Sequence, residues 1–270
     1  TAFGQDGPRG NMTAYDHAIQ ATSGLTASTG SPTSGPIKIG APVIDYATGT
    51  MGAFALSAAL YQKLRTGKGQ YIDMAMLDVA LIMQSSHITD SFHSGHRPKR
   101  NGNKMRFSES SIHDTKDGLL QIAASNGRQH KRFYKAIGED AEAERNSLDE
   151  RYARFDEKDA LIARKMKDRS AAEWEDYLQS KHVPATRVRE LHEALADPQL
   201  KHRGVLHRHD NVPGVGKAMT VPLAAFKFAH DGPSLQRPPA RMGEHTDEIL
   251  RAVGYSADQI AKLRKDGAVA

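Results

Sequence analysis

The sequence predicts an α/β protein: a layer of strands flanked by helices, joined to a smaller α+β domain and a returning C-terminal segment. Three observations predict it. Strand-like and helix-like apolar runs alternate between residues 13 and 92, in the order expected when helices cover the faces of a sheet. The composition then turns charged and amphipathic beyond a basic loop at residues 96–106. Finally, 270 residues with 39% apolar side chains are enough for one large core or two smaller ones.

The opening Thr1–Pro8 (TAFGQDGP) reads as the end of a strand running into a turn, as in a chain entered part-way through. Residues 13–30 read as a helix that ends in the turn STGSPTSGP. A strand is expected at Ile37–Ile44, then Asp45, then a helix from Ala47 to Leu64 whose small residues Gly49, Gly52, Ala53 and Ala55 permit close packing. The uncharged run Tyr46–Gln62 falls just short of the ~18–20 apolar residues that span a bilayer, so it is expected to be a buried core helix. The turn Arg65–Gln70 leads to a strand at Tyr71–Met76 and a helix at Leu77–Phe92, closed near Gly95.

Past the basic loop, a strand is expected at Gly118–Ala124, followed by amphipathic helices to Gln179 with Trp174, Tyr177 and Leu178 as their core stripe. Asp197-Pro198 marks a break, and strands at Val205–His209 and Met219–Phe228 flank the turn Pro213–Gly216. Gly254 closes one C-terminal helix, Ser256–Gln259 forms a capping box for the last, and Gly267 ends it. The expected organisation is a large α/β domain over 1–106, a small α+β domain over 107–200, and a segment over 201–270 that returns to the large domain.

The absence of cysteine excludes disulfides and thiolate metal sites. With no charged-then-apolar leader at its start, the sequence reads as a cytoplasmic enzyme with no membrane partner. The net charge of +5 suits an anionic ligand, but most of it is interleaved with acids as on a solvated helix face. The exception is His96–Arg106, where Arg97, Lys99, Arg100, Lys104 and Arg106 stand without an acid; a solvated loop and an anion contact both fit it. It has no aromatic platform for nucleic acid. His202, His207 and His209 are the densest histidine group, yet no carboxylate at helical spacing completes a site and no metal is expected. Phosphate-loop and dinucleotide glycine signatures are missing.

Asp45 is the only charged residue between Ile39 and Gln62. At the junction of a strand and a helix, a carboxylate is either a helix cap or a reactive group placed where α/β sheets put their ligands. Tyr15-Asp16-His17 is the second constellation, either a surface first turn or a hydroxyl and carboxylate that come beside Asp45.

The runs FGQDGP (Phe3–Pro8), AYDHAIQATSG (Ala14–Gly24), GAPVIDYATG (Gly40–Gly49) and RTGKGQYIDMAMLD (Arg65–Asp78) resemble the class III (CaiB/BaiF) CoA-transferases. ALADPQLKHRG (Ala194–Gly204) and GEHTDEILRAVGYSADQIAKLRKDGAV (Gly243–Val269) resemble the same family's C-terminal half. The family includes formyl-CoA:oxalate and carnitine CoA-transferases and α-methylacyl-CoA racemase. The resemblance implies a Rossmann-like large domain, and it places the family's nucleophilic aspartate on Asp45. That carboxylate would attack an acyl-CoA thioester to give a mixed anhydride, then carry CoA as an aspartyl thioester to an acceptor acid. CoA thioester is then a substrate, with no permanently bound cofactor.

Tyr15 and Asp16 fall on family positions that line the active site. Racemases of this fold carry a His where Tyr15 stands, so transfer is favoured over the alternative, an acyl-CoA racemase with Asp45 as acid/base. The basic loop matches the region of a glycine-rich lid; its Asn103, Lys104 and Arg106 are the expected substrate or CoA contacts. The resemblance also implies interlocked homodimers and a longer N-terminal part carrying the first strands and much of the CoA pocket, without which a chain would be an inactive fragment. A non-catalytic basic binding module is the remaining reading.

Overall fold

The computed structural model describes all residues except Arg106, Phe107, Asn146 and Ala270, and leaves aside the side chains of Leu148 and Arg151. Two compact units are present, Thr1–Val188 and Arg189–Ala270.

In the first unit, α1 (Asp16–Thr22) and the single turn α2 (Leu25–Ser28) precede a small hairpin of β1 (Gly30–Ser31) and β2 (Gly35–Pro36). Gly30 has φ of 112°, and a Cβ there would lie 2.2 Å from the Gly35 carbonyl oxygen, so only glycine fits this turn. The long α3 (Val43–Thr66) follows, ended by Gly67 in the left-handed region, then α4 (Met76–Ile82) and α5 (Ser85–Ser94).

The helix expected at Leu77–Phe92 is broken in two. The Gln84 side chain donates to the carbonyls of Ala80 and Ser23, tying the break to the end of α1. The strands expected at 37–44 and 71–76 do not form: Val43 and Ile44 belong to α3, Met76 to α4, and for the remainder no strand among the described residues runs alongside to pair their backbone groups. Met74–Leu77 instead exchanges hydrogen bonds with Thr1 and Ala2. Ile19, Ile44 and Ala80, from α1, α3 and α4, form the small core here.

The helix α3 departs most from expectation. Instead of being buried it exposes Phe54, Leu56, Leu60, Tyr61 and Leu64, and only Ile44 is buried. An apolar face is buried only where a neighbour lies on it, and α1 and α4 meet α3 near its start. Its 24 residues are also long and apolar enough, by length and composition, to cross a membrane.

Next, β3 (Glu109–Asp114), β4 (Leu119–Ala124) and later β5 (Ala185–Arg187) make an antiparallel sheet in the order β3-β4-β5. Between β4 and β5 lie α6 (Gly127–Ala136), α7 (Asp140–Ala143), α8 (Leu148–Ala153), α9 (Phe155–Met166) and α10 (Ala171–Ser180). Leu120, Ile122 and Ala124 alternate along β4 and pack with Phe133, Ile162, Met166, Trp174 and Leu178, so the expected Trp174/Leu178 stripe is the core, with Tyr177 packed at its edge.

The strand β3 escaped the sequence reading because its inward residues, Glu109, Ser111 and His113, are polar. Glu109 accepts from His130 Nδ1 (3.0 Å) and Lys158 Nζ (3.2 Å), while His130 Nε2 lies 3.0 Å from the Glu142 carbonyl. Burial pushes the Glu109 pKa up, but the hydrogen bonds and charges of His130 and Lys158 outweigh it and hold the carboxyl below its usual value. Burial also lowers His113, with Asp159 opposing and Lys104 assisting.

In the second unit, α11 (Leu191–Leu195) and α12 (Pro198–Arg203) precede the hairpin β6 (Leu206–His209) and β7 (Met219–Pro222), followed by α13 (Thr246–Ala252) and α14 (Ala257–Lys265). Asp197 caps α12 ahead of Pro198. Strand β7 is shorter than expected. The C-terminal caps are as expected: Gly254 and Gly267 have positive φ, and Ser256 with Gln259 forms a capping box.

The Glu109 cluster sets an acid limit on stability. The folded carboxyl is more acidic than the unfolded one, so its contribution is complete above about 4.5 and is lost as pH falls from there through the folded value. His113, less basic when folded, begins the loss earlier, below about 6.5. Unfolding followed by Trp174, the only tryptophan, will show stability declining from pH 6.5 downward. At pH 7, Glu109→Gln will cost about 3–5 kcal/mol by leaving the buried Lys158 ammonium uncompensated.

Candidate active site

The helix α3 begins two residues before Asp45, not two after it. Pro42 is its N-cap, followed by Val43, Ile44 and then Asp45 as the third helical residue. A helix start leaves backbone N–H groups without intrahelical partners, usually satisfied by a Ser, Thr, Asp or Asn cap. Pro42 has no side-chain acceptor, and α3 has no cap bond from it.

The acceptor comes from another helix. Asp16, in the first turn of α1 and only 4% exposed, accepts from the backbone N–H of Ile44 (2.7 Å) and of Asp45 (3.0 Å) through Oδ2. Its Oδ1 accepts from Gln20 Nε2, one turn along α1 at 2.5 Å. Gln20 is fully buried, and its Oε1 accepts from the Ile39 N–H (2.9 Å) while Nε2 also reaches the Ile39 carbonyl (3.4 Å). The chain on both sides of Pro42 is thus pinned to α1.

The geometry therefore excludes the helix-cap reading of Asp45. Asp45 caps nothing. The third helical residue ordinarily closes a capping box on the N–H of the N-cap residue, but proline has none. The Asp45 side chain is exposed and has no hydrogen bond among the described residues, at the positive end of the longest helix.

The other expected residues are placed as follows. Tyr15 precedes α1 as its N-cap and is 86% exposed, whereas the adjacent Asp16 is buried. His17 is half exposed, its Nε2 4.0 Å from Asp16 Oδ1. In the basic loop, the Gly102 N–H donates to the Gly30 carbonyl and Arg100 Nη1 to the Ala27 carbonyl, docking the loop on α2 and the β1-β2 hairpin. The Asn103 carbonyl accepts from Ile112 N–H, and the Lys104 ammonium is held by Asp159 on α9. Arg106 lies outside the described residues. His207 and His209 stack edge to face at 4.4 Å, and no group of three or more metal-ligating side chains occurs among the described residues.

Sequence reading missed Gln20 and the capping role of Asp16. A signal existed: Asp16 and Gln20 are four apart, hence on one helix face, and Pro42 marks a helix beginning beside it.

The fold agrees with a comparison across known proteins. The model of CoA-transferase family III matches residues 1–246, and the chain belongs to that family. It is 32% identical over 266 residues to a succinate–glutarate CoA-transferase of Agrobacterium fabrum, covering 93% of this chain and 63% of the relative. It is 28% identical to the human succinyl-CoA:glutarate CoA-transferase, covering 100% of this chain and 62% of that protein. The chain thus spans less than two thirds of the length of these relatives. A crystal structure of a CaiB/BaiF family protein from Brucella suis superposes with a TM-score of 0.75 at 30% identity, covering 94% of this chain and 66% of that one. A Mycobacterium tuberculosis protein at 24% identity shares the fold, with a TM-score of 0.76 over 93% of this chain and 66% of its own.

The two aspartates are expected to part company in stability. Asp45→Asn loses only an exposed charge near a helix start and will shift unfolding by less than about 1 kcal/mol. Asp16→Ala strands buried amides and will cost about 2–4 kcal/mol, read by circular dichroism during denaturation.

Proposed function

We propose that the protein of which this chain is part transfers CoA between carboxylic acids, with Asp45 as the nucleophile. The observation that carries the reading is the uncommitted carboxylate: Asp45 stands exposed in the first turn of α3 while Asp16 satisfies the helix end. The reaction proceeds by four exchanges in which no water is consumed. The Asp45 carboxylate attacks the donor thioester carbonyl and CoA thiolate leaves, giving a mixed anhydride. The thiolate then attacks the aspartyl carbonyl and releases the donor acid, leaving an aspartyl-CoA thioester. The acceptor carboxylate attacks that thioester, again expelling thiolate. Attack of the thiolate on the acceptor's acyl carbon forms the new acyl-CoA and regenerates the Asp45 carboxylate.

The names of the relatives direct the first choice of substrates toward dicarboxylates, with succinyl-CoA as donor and glutarate as acceptor. Tyr15 belongs to this proposal as an exposed hydroxyl beside α1, and Asn103, Lys104 and Arg106 as contacts to the acceptor or to CoA. So do the small domain at 107–200, an interlocked homodimer and a cytoplasmic location.

The test uses the full-length protein. Incubated with succinyl-CoA and then hydroxylamine, it is expected to carry a hydroxamate on the peptide containing Asp45, with one CoA released per adduct. Asp45→Asn is expected to lower transfer by at least about 1,000-fold, the scale of removing a covalent nucleophile. An Asp45→Asn enzyme that turns over at the wild-type rate excludes the reading. Racemisation, by contrast, requires solvent deuterium to enter the α-carbon of an acyl-CoA, and none is expected.

A further inference from the structure

We infer that Asp16 and Gln20 form the positioning pair for Asp45, acting through the backbone of α3 and touching no substrate. The inference rests on the reading of Asp45 as nucleophile. Its warrant is the division of labour between two carboxylates. Asp16 is buried and, among the described residues, its side-chain hydrogen bonds are all internal, to the amides of Ile44 and Asp45 and to the Gln20 side chain. Asp45 is exposed and makes none among the described residues.

The pair determines where Asp45 stands. Ile44, one of the two residues whose N–H groups Asp16 receives, is fully buried, so that amide has no water to turn to. Pro42 supplies neither a side-chain acceptor nor an N–H, so the helix cannot cap itself. Gln20 fixes the other end of the segment at Ile39, holding residues 39 and 44–45 to the same face of α1. A nucleophile must meet its carbonyl within about 3–3.5 Å in a narrow range of angles, so release of this turn displaces the reacting oxygen without removing any group that binds CoA.

The donor pattern gives a compensating exchange. Asp16 offers two acceptors, one toward the helix amides and one toward Gln20 Nε2. In Asp16→Asn one of them becomes a donor, and if it faces Gln20 two N–H groups meet. Gln20→Glu restores the match, since the introduced carboxylate accepts from the new amide and from Ile39 N–H. By itself, Gln20→Glu sets two carboxylates against each other.

The experiment compares steady-state transfer from succinyl-CoA to glutarate by full-length wild type, Asp16→Asn, Gln20→Glu, the double variant and Asp45→Asn, with the unfolding temperature of each. Asp16→Asn is expected to lower kcat by about 10–100-fold while KM for succinyl-CoA stays within about 3-fold. The double variant is expected to regain at least about 10-fold over the weaker single variant. Wild-type kcat in Asp16→Asn overturns the inference, as does a rise in KM at unchanged kcat, which would mark a substrate contact. A double variant that folds but is no faster than its single parents also overturns it. If Asp45→Asn is inactive while Asp16→Asn is fully active, positioning fails and the nucleophile stands. If Asp45→Asn itself is active, the nucleophile fails and this inference with it.

Discussion

One carboxylate holding the start of another helix organises the site and the small core around it. Asp16 leaves water to accept from two amides of α3 and one of Gln20, and a buried charge is tolerated only when it is paired or fully hydrogen-bonded. Those three bonds bring α1 against the beginning of α3, and Ile19 and Ile44 then meet Ala80 of α4 as the apolar contact the clamp permits. Because the bonds run to backbone, the clamp acts on the path of the chain. Asp45 inherits its place from that path, and its own carboxylate stays exposed.

A second buried carboxylate, Glu109, solves the same problem differently. It is enclosed by His130 and Lys158, so side-chain donors instead of backbone amides offset its desolvation. The consequence is structural: the cluster joins β3 to α6 and α9 at one edge of the core that contains Trp174. The contrast shows why burial of a charge does not by itself identify a reactive group. Glu109 and Asp16 are both consumed by their partners, whereas Asp45 is exposed and its carboxylate makes no hydrogen bond among the described residues.

The exposed face of α3 belongs with the same contrast. Its apolar composition is that of a helix meant to be covered, and its first turns are indeed packed by α1 and α4. Farther along, Phe54, Leu56, Leu60, Tyr61 and Leu64 stay exposed, in a chain that spans 62–63% of the length of its curated relatives. Hydrophobic composition expresses a demand for a neighbour and does not supply one.

Much was legible in the residues themselves. The Trp174/Leu178 stripe, the Ser256/Gln259 box, the stops at Gly95, Gly254 and Gly267, and the motif around Asp45 depend on spacing of a few residues, which local physics reads directly. The strands expected at 37–44 and 71–76 failed, and β3 and β5 went unread, because a strand exists only through a partner distant in sequence, and polar inward residues such as Glu109 hide the alternation. Sequence alone determined that Asp45 stood at a helix start and was either cap or reagent. Only the tertiary structure showed that it is not the cap, because the acceptor that satisfies the helix end lies 28 residues away from Ile44, on a different helix.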